Sequence, residues 1–339
     1  MKDLKIGILG ATGAVGRQMI TVLEERKFPV EELRLFASAR SAGTKVNAFG
    51  KEWSVEETDP ERFKGLDLML GAAENDIAEK YLPLAAEMGV QVVDNSSAFR
   101  LDPEIPLVIP EVNPEDVRLS KGLIANPNCA TIIALTAVMP LHKAAHIKRM
   151  IVSTYQAVSG AGKEGIDELE NEVKELAEGK PMQAPHIFQY QIAYNLIPQI
   201  GGFNELGYSS EEMKMQNEGR KMLHDDKLLV NCTCVRVPII RSHSESITLE
   251  FDREITPEEA KELLKNALGV KLYDEPNEKI YPMPLLTSDQ DLVYVGRVRR
   301  DLSAPEEIYN KSLTLFCCAD QIRKGAATNA VQIAELLFR

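Results

Sequence analysis

The run Lys5-Ile6-Gly7-Ile8-Leu9 has the apolar character of a short buried parallel strand. It leads directly into Gly10-Ala11-Thr12-Gly13-Ala14-Val15-Gly16 and then an amphipathic helix reaching about Lys27. Glycines at 10, 13 and 16 permit a tight turn, close approach of backbone to a pyrophosphate, and close packing of helix on strand. A lone glycine-rich loop says little. Between a strand and a helix it points to a Rossmann-type dinucleotide-binding unit, with Gly10, Thr12, Gly13, Ala14 and Val15 nearest the ligand.

The next strand, Leu33 to Ala37, ends where an NAD-selective protein usually carries Asp or Glu for the ribose 2′-hydroxyl. This chain has Ser38-Ala39-Arg40-Ser41 instead. An arginine beside small hydroxyl residues suits the 2′-phosphate of NADP; the competing reading of Arg40 is a solvated loop charge. Strands at Leu66 to Leu70 and Val90 to Val93, with a helix from Ala78 to Met88 between them, continue the alternation. Ligands bind beyond the carboxyl ends of such strands, where Gly71 to Ala73 and Asp94 to Arg100 fall. Arg100 is either an anion clamp there or a surface charge.

The chain continues far past this unit. With 339 residues, 44% of them hydrophobic, it has material for two cores. The expected division is 1–128 plus 320–339 for the dinucleotide unit and 129–319 for a second domain. A net charge of −12 argues against nucleic-acid or anionic-membrane partners, while leaving room for a local basic pocket that takes phosphate. No stretch has the length of a membrane span and the N-terminus lacks a signal-peptide layout, so the expected location is cytoplasmic. The five cysteines include no CxxC pair, and Cys232, Cys234, Cys317 and Cys318 read as buried side chains. No metal site is expected.

Cys129 stands apart. In Leu123-Ile124-Ala125-Asn126-Pro127-Asn128-Cys129-Ala130-Thr131 an apolar run ends at Asn126 and a helix from Ala130 to Met139 follows. That puts the thiol at a helix N-terminus, where unpaired N–H groups and the macrodipole favour a thiolate. The competing reading is a small buried cysteine.

Beyond it, strands at 150–156, 229–237, 246–251, 292–300 and 313–317, with a helix at 257–268, suggest an α+β domain on one mixed or antiparallel sheet. Thr256-Pro257-Glu258-Glu259 reads as a capping box. Ile166, Leu169, Val173 and Leu176 form one helical packing stripe. If Ser209 caps the helix it precedes, Glu212 is its reciprocal partner and Glu211 is left to share a face with Lys214. Arg236 and His243 flank a loop between two strands, where an arginine suits a substrate carboxylate and a histidine suits proton transfer. The expected fold class is thus α/β followed by α+β.

Taken together, the ordered motifs GATGAVG (10–16), SSAFR (96–100), NPNCAT (126–131), QAVSGAG (156–162), EEMK (211–214), RVPIIRSHSES (236–246) and RKGAATN (323–329) resemble the aspartate-semialdehyde dehydrogenases of bacterial amino-acid biosynthesis. The resemblance covers essentially the whole chain. It implies NADPH-dependent reductive dephosphorylation of L-aspartyl 4-phosphate to the semialdehyde through a Cys129 thioester, supplying lysine, threonine, methionine and diaminopimelate. It implies His243 as the acid–base residue and Gln156 as the amide positioning the acyl group. Arg236 would grip the substrate α-carboxylate, with Glu211 facing its ammonium and Arg100, Asn128 and Lys214 contacting phosphate. Thr12 to Val15, Arg40, Ser41, Ser159, Gly160 and Gln321 would contact the cofactor. The second domain would be catalytic and dimerising, giving a homodimer, in some members paired into a tetramer. The nearest rival, a reductase of N-acetyl-glutamyl phosphate, has no use for a carboxylate-plus-ammonium pair. A cysteine hydrolase has no use for the glycine-rich loop.

Overall fold

The computed structural model describes residues 3–181 and 184–338. The chain divides into two compact units, Met1–Asn128 with Gly325–Arg339, and Cys129–Lys324. The return to the first unit thus falls at 325, five residues beyond the 320 expected from sequence.

In the first unit the strands are β1 (Leu4–Leu9), β2 (Val30–Ala37), β3 (Lys45–Ala48), β4 (Lys51–Glu57), β5 (Leu68–Gly71), β6 (Gln91–Asp94) and β7 (Leu123–Ala125). They form one sheet in the order β3-β4-β2-β1-β5-β6-β7, parallel throughout except for the β3–β4 hairpin at one edge. Period-two alternation divides the side chains between two cores. Ile6, Ile8, Leu35, Leu68, Leu70, Val93 and Ile124 pack with α1 (Ala14–Glu25) and the C-terminal helix Thr328–Leu337. Leu9, Phe36, Met69, Val92 and Leu123 pack with α2 (Asn75–Glu87). Burial on both faces explains why these strands read as apolar runs, each buried Leu or Ile contributing about 1.5–3 kcal/mol.

The glycine-rich turn is sterically dictated. Gly10 has φ +81°, and a Cβ there would lie 2.5 Å from the Ala72 carbonyl oxygen; one on Gly16 would lie 2.3 Å from the Gly10 carbonyl. Only glycines let β1 turn into α1 this tightly. The N-terminus of α1 has neither a side-chain cap nor an acidic residue in its first turn.

In the second unit α3 (Cys129–Ala145) runs through Pro140, past the expected end at Met139. Every α3 residue from Ala130 to Val138 is buried, so packing overrides the proline penalty. The sheet comprises β8 (Ile147–Gln156), β9 (Leu229–Arg236), β10 (His243–Phe251), β11 (Val270–Leu272), β12 (Val293–Arg300) and β13 (Ser312–Ala319), in the order β11-β12-β13-β10-β8-β9. The β8–β9 and β11–β12 pairs are parallel and the rest antiparallel, a mixed sheet.

Helices α4 (Gly162–Ala177), α5 (Ser210–Leu223) and α6 (Pro257–Lys265), with the short helix Pro284–Thr287, also belong to this unit. On α4 the expected stripe is incomplete: Ile166, Leu169 and Leu176 pack inward, whereas Val173 is exposed. At α6 Thr256 caps Glu259 N–H, but the Glu259 carboxylate pairs with Arg253 instead of closing the expected box. Ser209 and Glu212 do form the reciprocal box of α5. Cys232, Cys234, Cys317 and Cys318 are buried free thiols. Among the described residues no cluster suited to a metal ion occurs, and no helix is long and apolar enough to cross a membrane.

Candidate active site

Cys129 is the first residue of α3 and partly exposed. In the first unit, the loop leading to it is held by amides. Asn126 has no exposed surface; its Nδ2 donates to Asn95 Oδ1 (2.7 Å) and its Oδ1 accepts from Asn329 Nδ2 (2.7 Å). Arg100 is buried rather than a surface charge, donating through Nε to Asn126 O (2.9 Å) and through Nη2 to Asn95 O (2.8 Å). Asn128 is buried at the end of this loop. Arg40 sits exposed in the 3-10 turn Ala39–Ser41 just after β2, beside half-buried Ser41.

In the second unit sheet register assembles the other candidates. Gln156, the last residue of β8, pairs with Arg236, the last of β9, and β10 begins at His243 beside them. The three side chains therefore emerge at neighbouring strand ends. Gln156 Oε1 accepts from Thr154 Oγ1 (2.9 Å), while Nε2 donates to Glu211 Oε1 (3.2 Å) and lies 3.4 Å from His243 Nε2. Glu211 Oε2 pairs with Lys214 Nζ at 2.8 Å, the i,i+3 neighbour on α5. Arg236 donates through Nη1 to Ala157 O (2.7 Å), and its guanidinium lies within electrostatic range of the Glu211 carboxylate and the Cys129 sulfur. Burial lowers the Arg236 pKa, and the Glu211 carboxylate opposes the shift.

His243 has no exposed surface, and burial, reinforced by Arg236, pushes its pKa down from 6.5 to about 3. The Ala157 backbone N–H donates to Nδ1 (3.1 Å). A backbone donor cannot reverse, so the neutral ring carries its proton on Nε2. Gly160 keeps the space in front of these groups open: a Cβ there would lie 2.8 Å from Arg236 Nη1 and 3.5 Å from His243 Nε2.

The second unit thus gathers Gln156, Glu211, Lys214, Arg236, His243 and Gly160, with Cys129 within electrostatic reach of Arg236. Ser159 and Gln321 meet one another, the amide of Gln321 bonding to the Ser159 hydroxyl. Ala157 escaped sequence reasoning although its carbonyl and N–H orient Arg236 and His243, because backbone roles leave no mark on residue type. A cleft of about 680 Å³ along α4, lined by carboxylates that include Glu164, Glu168 and Glu172, contains none of these residues. Glu168 and Glu172 there accept backbone N–H groups of the 186–193 segment.

Models of the semialdehyde dehydrogenase family match both parts of the chain, the NAD binding domain over residues 5–120 and the dimerisation domain over 138–324. These matches define an oxidoreductase that uses a nicotinamide dinucleotide. The aspartate-semialdehyde dehydrogenase of Aquifex aeolicus is 51% identical, the match covering 99% of this chain and 98% of that protein; that of Bacillus subtilis is 45% identical, at 99% and 98%. Among solved structures, aspartate semialdehyde dehydrogenase II of Vibrio cholerae complexed with ASA superposes with a TM-score of 0.95 at 43% identity, covering 100% of this chain and 99% of that one. The Candida albicans aspartate semialdehyde dehydrogenase with NADP gives 0.75 at 25% identity, covering 99% of each chain. The chain belongs to the aspartate-semialdehyde dehydrogenase family.

Proposed function

We propose that this enzyme interconverts L-aspartyl 4-phosphate and L-aspartate 4-semialdehyde, with release or uptake of phosphate, through a thioester on Cys129. The observation that carries the substrate assignment is a buried pair of opposite charges, Arg236 and Glu211, beside Gln156 and His243. An α-amino acid presents a carboxylate and an ammonium together, and this pair matches both. An N-acetylated glutamate substrate would leave Glu211 with no cation of the substrate to meet.

The dinucleotide fits the first unit: side chains at Gly10 and Gly16 would fill the turn, and the uncapped, acid-free start of α1 suits a pyrophosphate. Gly10, Thr12, Gly13, Ala14 and Val15 would hold that group, with Arg40 and Ser41 on the 2′-phosphate that makes the cofactor NADP. When bound, the reduced nicotinamide supplies hydride to the acyl carbon.

The rest is the work of side chains. At the start of α3 the thiolate of Cys129 is favoured by the helix dipole and by Arg236; it attacks the acyl phosphate and expels phosphate. A thioester accepts hydride where a carboxylate does not, so the covalent step divides the barrier. Arg100, Asn128 and Lys214 are the phosphate contacts. Gln156 orients the acyl oxygen, and His243 presents Nε2–H to the oxyanion that develops on it. The match to a dimerisation domain supports a homodimer built through the second unit.

The test is reduction of NADP by purified enzyme given aspartate semialdehyde, with and without phosphate. Turnover that requires phosphate is expected; turnover only with N-acetyl-glutamate semialdehyde would overturn the assignment.

A further inference from the structure

Three polar side chains meet the Gln156 carboxamide, and they constrain it differently. Glu211, as a carboxylate, can only accept, so it draws Nε2 toward itself (3.2 Å). Oε1 then points back along β8 to the Thr154 hydroxyl, which donates to it at 2.9 Å. Thr154 and Gln156 alternate onto the same inward face of the strand, and Thr154 has no exposed surface. Gln156 Nε2 also lies 3.4 Å from His243 Nε2, so two N–H groups stand side by side at the strand ends. A reversed amide would put Oε1 there instead, where it would accept the His243 proton and withdraw it from the acyl oxygen.

Across the sheet Thr154 stands between Cys234 of β9 and Glu245 of β10. Glu245 is fully buried, and burial holds its pKa well above the usual carboxylate range, so the uncharged acid does not pull the Thr154 hydroxyl away as a carboxylate would. Glu211 is shared once a substrate ammonium arrives. Thr154, sealed inside the sheet face, can hold Oε1 throughout turnover.

We propose that Thr154 is a positioning residue for the reduction step, its buried hydroxyl fixing the polarity of the Gln156 amide so that Nε2 faces the acyl oxygen beside the His243 N–H. Thr154 acts through Gln156. This inference rests on the proposed function for its kinetic readout but not for its spectroscopic one.

The experiment compares two variants of the full-length enzyme. Thr154→Val keeps the branched shape and removes the hydroxyl; Thr154→Ser keeps the hydroxyl and removes the methyl. In the phosphate-dependent reaction Thr154→Val should lose about tenfold in kcat with KM for NADP within about twofold, and Thr154→Ser should stay within about threefold of wild-type kcat. A packing role predicts the opposite order, because Ser leaves a void where Val does not. Thr154→Ser falling as far as Thr154→Val, or Thr154→Val keeping kcat within about twofold, would overturn the proposal. If Thr154→Val does not fold, Thr154→Ala against Thr154→Ser isolates the hydroxyl with the methyl absent from both, and the same difference of about tenfold is required. Independently of turnover, the ¹H–¹⁵N signal of the Gln156 side-chain amide, identified by its absence from Gln156→Glu, reports the bond to Thr154. It should hold its position in Thr154→Ser and move in Thr154→Val, and an unmoved signal in folded Thr154→Val would refute the positioning role. A wild-type enzyme inactive with aspartate semialdehyde would instead refute the proposed function, leaving the spectroscopic arm to judge this inference.

Discussion

Glu211 and Glu212 are adjacent, both buried, and do opposite work. Glu212 Oε2 accepts the Ser209 N–H (2.7 Å) and Oε1 accepts the Cys234 N–H (3.0 Å), tying the start of α5 to β9. Glu212→Ala leaves both backbone donors buried and unpaired. At about 1.5–3 kcal/mol for each charge-assisted bond the loss is about 3–6 kcal/mol. At about 2–4 °C per kcal/mol for a domain of this size, the melting temperature should fall by about 6–24 °C. Glu211 bonds to Gln156 and to the half-exposed Lys214, the latter an ion pair worth about 0–1 kcal/mol. Glu211→Gln should therefore melt within a few degrees of wild type. Its kcat/KM for aspartate semialdehyde should drop about 10–150-fold through the lost bond to the substrate ammonium. Calorimetry and steady-state kinetics on the two variants check both halves. Undiminished kcat/KM in Glu211→Gln, or a Glu212→Ala enzyme that melts normally but does not turn over, would refute the division of labour.

Arg40→Ala should weaken NADPH by about 1–3 kcal/mol and leave NADH nearly unchanged; equal losses in fluorescence titrations would remove Arg40 from the 2′-phosphate. His243 is held neutral in the fold, with its pKa lowered from 6.5 to about 3, so its contribution is complete above pH 6.5 and is lost as pH falls toward 3. Between pH 6.5 and 5 wild type should lose about 2 kcal/mol relative to His243→Gln, read from melting at each pH; parallel pH profiles would contradict a buried neutral imidazole.

The parts of the fold that announce themselves in sequence are those whose local pattern and packing agree. The strand, glycine turn and helix at Leu4–Glu25 were legible because sterics allow little besides glycine at 10 and 16. The α5 capping box was legible because both of its legs lie within four residues. The β3–β4 hairpin was not read because its residues are mostly polar and exposed at the sheet edge, and three-residue β7 and β11 are too short to carry a period. The end of α3 was misread because burial outweighed Pro140. At the site, Cys129 was readable from its place at a helix start. The meeting of Gln156, Arg236 and His243 depends on the register of three strands distant in sequence, which no local pattern encodes.

The central claim is that the thiol of Cys129 carries the acyl group. With aspartate semialdehyde and NADP but no phosphate, the enzyme should stop at the acylated state. Peptide mass spectrometry should then find one aspartyl group on Cys129, discharged when phosphate is added and absent from Cys129→Ser. Acylation at another residue, or phosphate-dependent turnover retained by Cys129→Ser, would contradict the account.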